Sequence, residues 1–329
     1  MIYQEPLSPV KGLVAAAFIT AGFCAVGVYI HFLAPICSLL WAVPTIVLTA
    51  RWGIPMGLIN VGVSWLVLTL LMGPVLSFFP AIQFGSLGLT SGLLFRREKS
   101  SGKIIAAGVL VTMLVVGIIL YFPLVMGIFH GEGMEAFYGR ANAVLEAWEK
   151  AGLLEQFEDQ GISRSEIEKS LKKAVVWTFY LLPSIIATYS AASSFCNFLG
   201  ARTVLLRMGF KVPDFPPFYE WRIPWYSSWV VIIGLGLALL GDYIKVQPLF
   251  VVGLNLLIIY LPIAFIIGLA VGAGFFSRIK SHFIKLIIFT TGLIYLPFTI
   301  FLLLLLGVFD PLLNFRKFQS NNGQGSGGL

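Results

Sequence analysis

The chain has 329 residues, of which 58% are hydrophobic and 11% charged, and its mean hydropathy is +0.92. Soluble domains carry about 25% charged residues, so this composition excludes an ordinary water-soluble enzyme or binding module and makes a lipid bilayer the main solvent. The net charge of +7 comes in short basic runs between apolar stretches, the distribution of topology determinants rather than of a nucleic-acid-binding face.

About 20 apolar residues are needed to cross roughly 30 Å of hydrocarbon. By that measure residues 12–34 predict a first span, and 53–72 another. Residues 35–50 between them are shorter and contain Pro44, which predicts a tilted span or a re-entrant piece. The first stretch is too long for the apolar core of a signal peptide and is expected to stay in the mature protein. Residues 73–95 and 104–129 follow, separated by the basic cluster Arg96, Arg97, Lys99 and Lys103.

Residues 130–173 form the long hydrophilic insert. Val144, Leu145 and Trp148 recur at helical spacing, and Ser163 with Glu166 makes a capping box ahead of Ile167 and Leu171. Two short amphipathic helices over the mouth of the bundle are expected. Residues 174–199, 223–241, 246–276 and 283–309 complete about nine spans. The predicted fold class is therefore an all-α polytopic transmembrane bundle. Its parts are an N-terminal bundle (1–129), an extracytoplasmic insert (130–173), a C-terminal bundle (174–318) and a polar tail rich in Gly, Ser and Asn (319–329). The Lys/Arg bias places the N-terminus and the basic short loops in the cytoplasm of a cell carrying the protein in its plasma membrane.

None of these stretches holds Asp, Glu, Lys or Arg at its centre. Ion-coupled pumps usually place such groups there despite the cost, so a self-powered transporter is disfavoured. There is no HExxH, GxSxG or phosphate-binding glycine loop, and no enzymatic activity or cofactor is expected. Cys24, Cys37 and Cys196 fall inside apolar stretches without metal-ligand spacing and read as small buried hydrophobes.

Polar residues nevertheless concentrate in two spans. Ser190, Ser193, Ser194 and Asn197 fall at i, i+3, i+4 and i+7, one helix face. Gln83 and Ser86 lie in a span with Pro80 and several glycines. Each group has two readings: a ligand site, or interhelical hydrogen bonds and close packing, which is the commoner use. His31, near the outer end of the first span, either reaches a ligand or sits at the interface. Gly53 with Gly57 and Gly268 with Gly272 have small-xxx-small spacing, a helix-packing device. Trp221, Trp225 and Trp229 fall at i, i+4 and i+8 and predict an aromatic belt, or else a partner-docking loop.

Two stretches, PPFYEWRIPW at 216–225 and GVFDPLLNFRK at 307–317, resemble motifs of the YybS-like family of polytopic membrane proteins. The N-terminal part of that family is in turn similar to the substrate-binding component of energy-coupling-factor vitamin transporters. Such components contact their transmembrane coupling subunit through an AxxxA motif in the first helix. Ala17, Ala21 and Ala25 have that spacing here, although this chain has about three spans more than the usual six and carries the insert. The resemblance implies a substrate-binding or transport component for a small, largely neutral molecule, with an energy-coupling transmembrane subunit and its ATPases as partners. A membrane scaffold that recruits other membrane proteins is the alternative.

Overall fold

A computed structural model describes residues 8–30, 32–129, 135–152, 154, 157, 161, 163–313 and 315. The helices are α1 (Pro9–Tyr29), α2 (Ala34–Ser38), α3 (Val43–Trp52), α4 (Ile54–Met72), α5 (Pro74–Arg96), α6 (Ser101–Phe129), α7 (Glu135–Lys150), α8 (Arg164–Arg207), α9 (Ser228–Tyr243), α10 (Gln247–Arg278), α11 (His282–Ile294) and α12 (Leu296–Leu313). Among the described residues nine helical segments are long and apolar enough to cross a membrane. The polytopic helical bundle expected from composition is therefore what the chain forms.

Proline and glycine set most of the boundaries. Pro9, Pro44, Pro55 and Pro74 stand in first helical turns, where the missing N–H has no intrahelical partner to lose. Gly53 and Gly73 have φ of +94° and +84° and link α3 to α4 and α4 to α5. Gly53 is thus a turn residue and not half of a helix-packing pair; Gly57 alone packs in that role, against Thr49 and Leu89.

The second candidate span is one apolar segment in two pieces, Ala34–Trp52, broken between α2 and α3. Pro44 cannot donate to the carbonyl four residues earlier, and Leu40 O instead accepts from Val43 N at 3.1 Å. The last expected span, 283–309, is corrected in the same way. It is two helices, because Pro297 cannot donate to the preceding turn, and the hydroxyl of Thr299 donates to the Gly292 carbonyl at 3.0 Å across the break. Only α12 is long enough to span.

The insert also differs from expectation. Its first helix is α7, but the second is no separate element: it is the start of α8, which runs 44 residues, or about 66 Å at 1.5 Å per residue. That is roughly twice the hydrocarbon thickness, so the charged first turns project from the membrane. Ser163 caps them with the expected box, its hydroxyl and backbone N–H both engaged with Glu166. Glu166 is consequently held below the ordinary carboxylate range, mainly by the Ser163 backbone N–H and then by its hydroxyl. Leu145, Leu154 and Ile167 bury a small core with Trp148, Phe157 and Leu171, and Arg164 grips Glu149 with two bonds of 3.1 and 2.9 Å.

The chain divides into two compact units, one drawn from Met1–Phe179 and Ile186–Asp214, the other from Tyr180–Ile185 and Phe215–Leu329. In the first, α3, α4 and α5 pack on one another, α1 lies on α2, α3 and α4, and α6 on α5. Stacked rings join this core: Trp41 with Phe84 at 5.1 Å and Phe95 with Phe198 at 5.3 Å. A Cβ on Gly92 would stand 2.7 Å from the Ile46 carbonyl oxygen, so α5 approaches α3 at backbone distance there.

In the second unit α10 packs against α9 and α12. A Cβ on Gly268 would overlap the Leu303 carbonyl oxygen, and one on Gly307 the Ala264 carbonyl oxygen, which is the close approach small residues permit in membranes. Pro183 interrupts α8, and Asn255 of α10 fills the gap: its Oδ1 accepts from Ser184 N at 3.0 Å while its Nδ2 donates to Tyr180 O at 2.8 Å. One side chain thus satisfies both halves of an opened helical hydrogen bond.

Candidate functional site

The polar face of α8 is buried: Ser190, Ser193 and Asn197 are 0% exposed and Ser194 2%. Asn197 Oδ1 accepts from the Ala42 backbone N at 2.9 Å, the donor left over where α2 ends and α3 begins. Its Nδ2 donates back to the Ser193 carbonyl at 2.9 Å. Ser194 Oγ donates to the Ile105 carbonyl of α6 at 2.9 Å, and Gly108 leaves room for that serine. Gln83 of α5 reaches Tyr189 of α8, Nε2 to phenol oxygen, at 2.6 Å. Ser86 turns back to the Gln83 carbonyl at 3.0 Å.

The structure therefore brings Gln83, Ser194 and Asn197 onto one seam of interhelical hydrogen bonds, while Ser86 bonds within its own helix. Ser190 differs, because its buried Oγ has no partner among the described residues. His31 lies outside the described residues. Arg316 does so too, while Asp310 is buried in the last turns of α12.

Beside this seam, α1, α3 and α8 line a partly open cavity of about 410 Å³. Ala16, Ile19 and Phe23 wall it from α1, Val47 from α3, and Gly200 and Val204 from α8. No charged residue lines it. Its volume falls within the roughly 300–1,000 Å³ of small-molecule sites, and an ion placed there would have no partner to offset its desolvation. Reasoning from polar residues missed this cavity. The sequence carries no plain marker for it: its walls are apolar throughout, and its glycines are packed tight, since a Cβ on Gly12 would overlap the Trp52 ring and one on Gly200 would stand 2.8 Å from Val43.

Ala17, Ala21 and Ala25 are half-buried, one position round α1 from the fully buried stripe of Ala16, Thr20 and Cys24. Trp221 is not on a helix, because α9 starts only at Ser228. It holds the preceding loop together, with Nε1 donating to the Pro216 carbonyl at 3.0 Å and its ring set edge-on to Phe215 and Phe218. Trp225 and Trp229 are 62% and 52% exposed.

The family described as "Predicted membrane protein (DUF2232)" matches residues 18–311, nearly the whole membrane part. The chain belongs to that family. A relative within reach is "Uncharacterized protein YybS" of Bacillus subtilis (strain 168), 26% identical over 251 residues, which cover 71% of this chain and 78% of that protein. No solved structure matches the chain. The fold is shared with a family of membrane proteins, and its seam, cavity and loop are the parts on which a function has to rest.

Proposed function

We propose that this protein is a membrane-embedded binding or transport component that takes a small, neutral, largely apolar molecule into the cavity of its first unit, without catalysis of its own. The observation that carries this reading is the uncharged cavity of about 410 Å³ walled by α1, α3 and α8. The cavity has the size of a ligand site and the chemistry of a neutral occupant. The spans offer no central carboxylate or base for ion coupling, so movement of a substrate would draw on an outside source. In that reading the half-buried Ala17, Ala21 and Ala25 meet an energy-coupling transmembrane subunit with its ATPases, and the basic short loops and N-terminus face the cytoplasm of a cell membrane.

Photolabelling of the full chain in lipid nanodiscs with an apolar diazirine probe tests the proposal. Labelled peptides should concentrate at residues 12–23, 40–52 and 200–208, and Ala16→Phe, which fills the cavity from α1, should abolish that labelling. Equal labelling of the cavity walls and of an outward-facing residue such as Leu70, 88% exposed, would sink the reading.

A scaffold role has one observation in its favour, the projecting start of α8 with its own small core against α7. It predicts co-purifying membrane proteins that are lost when residues 135–163 are deleted, and no coupling ATPases among them.

A further inference from the structure

A second cavity, of about 270 Å³, lies wholly within the second unit, between the loop before α9 and the C-terminal end of α10. Arg222 and Glu220 come to it from the loop, and Arg278, Ser277 and Phe275 from the helix. Neither arginine takes part in an ion pair among the described residues, although Glu220 shares the same wall. Ser277 spends its hydroxyl proton on the Gly274 carbonyl at 2.9 Å. Two guanidinium groups thus stand on one cavity without an ion pair among the described residues, against a single carboxylate.

Depth narrows the chemistry. Helix α10 has 32 residues, about 48 Å at 1.5 Å per residue, against roughly 30 Å of hydrocarbon. Arg278 is its last residue, and the unpaired Arg222 sits in the aromatic loop that precedes the next span. Both belong at the level where phosphate groups lie. Guanidinium is planar, permanently charged and suited to bidentate contact with a phosphate. From these observations we infer that this cavity is a binding site for a phosphoester anion, whose phosphate oxygens accept from Arg222 and Arg278. Glu220 faces any hydroxyl or amine the ligand carries and excludes ligands whose negative charge extends toward it.

A phospholipid headgroup and a soluble phosphate ester share this chemistry, so the test has two arms. In one, the full chain in phosphatidylcholine nanodiscs doped with phosphatidylglycerol is released and examined by native mass spectrometry for retained anionic lipid. In the other, the detergent-solubilised protein is titrated with glycerol 3-phosphate while thermal unfolding is followed. The expected result in at least one arm is binding that weakens about tenfold for each of Arg222→Gln and Arg278→Gln. Arg207→Gln, on an exposed arginine elsewhere, should leave it unchanged. Retained lipid alone identifies a headgroup, and stabilisation by glycerol 3-phosphate alone identifies a soluble ester. If the double variant R222Q/R278Q does not fold, Glu220→Gln decides in its place, since removing the opposing charge should tighten binding. Binding in neither arm, or equal binding by the wild type and all these variants, overturns the inference.

Discussion

Asn197 and Ser190 share a face of α8, are both 0% exposed, and differ in one respect: the Asn197 side chain is hydrogen-bonded to Ala42 and Ser193, whereas the Ser190 hydroxyl has no partner among the described residues. Replacing Asn197 by Leu keeps most of the volume while removing the acceptor at 2.9 Å from the Ala42 N–H. That N–H sits at the α2–α3 break and has no helical carbonyl to return to. A buried donor left unpaired costs about 1–3 kcal/mol, and the bond itself, as an interhelical bond in a membrane, accounts for about 0.6–1.7 kcal/mol. Part of this is the same loss counted from two sides, so about 2 kcal/mol is the expected destabilisation. Ser190→Ala removes a hydroxyl that was desolvated without compensation, and is expected to be neutral or stabilising by up to about 1 kcal/mol. Reversible unfolding in mixed micelles by increasing SDS mole fraction measures both variants. Equal midpoints for N197L and S190A would refute the claim that the seam is held by its bonded members.

The same assay should show Tyr189→Phe costing about 0.6 kcal/mol, because Gln83 loses the interhelical acceptor it has among the described residues. Gly307→Ala should destabilise by about 1–3 kcal/mol, since its Cβ meets the Ala264 carbonyl. Gly236→Ala, which meets nothing within 4 Å, should be neutral or gain up to about 1 kcal/mol in helix propensity. Acidification should loosen the start of α8. Glu166 has a folded pKa below its unfolded one, so its contribution is complete above the unfolded value near 4.5 and is lost as pH falls through the lower folded value. Hydrogen exchange at residues 163–167, corrected for intrinsic rates, should show protection falling in that acid window in the wild type and this component missing in Glu166→Gln.

The spans were legible because a bilayer imposes a length, and twenty-residue apolar runs answer to it whatever they pack against. Pro44 marked a real interruption for a reason visible in one residue, a missing donor, whereas Gly53, read as half of a packing pair, is a turn residue whose positive φ only the backbone reveals. The continuity of α8 was not legible. Its charged first ten residues carry a capping box and an amphipathic pattern that a separate surface helix would share, and only the uninterrupted backbone from Arg164 to Arg207 distinguishes the two. Pro297 was visible in the sequence, but an apolar run of unbroken hydropathy concealed its effect. The sequence also hid the role of Asn255, because an asparagine in an apolar stretch advertises a polar contact without naming its partner. That partner is supplied by Pro183, 72 positions earlier, which opens α8 at Tyr180 and Ser184.

The candidate site follows the same logic. Spacing of i, i+3, i+4 and i+7 specified a face of α8, and the face is buried, but spacing says nothing about what covers it. The cover is main chain: the Ala42 N–H exists as a free donor only because α2 and α3 fail to join, and the Ile105 carbonyl is reachable only because Gly108 has no side chain. Both conditions arise from the packed neighbours. Polar residues in a membrane helix therefore attract attention to the places where backbone has been left unsatisfied. A neutral ligand needs the reverse, a place where the backbone is satisfied and the side chains are too small to fill the gap. The 410 Å³ cavity is walled by apolar side chains of α1, α3 and α8, yet its glycines do not mark it, because Gly12 and Gly200 lie tight against Trp52 and Val43; the room beside the polar face is therefore visible only once the helices are packed.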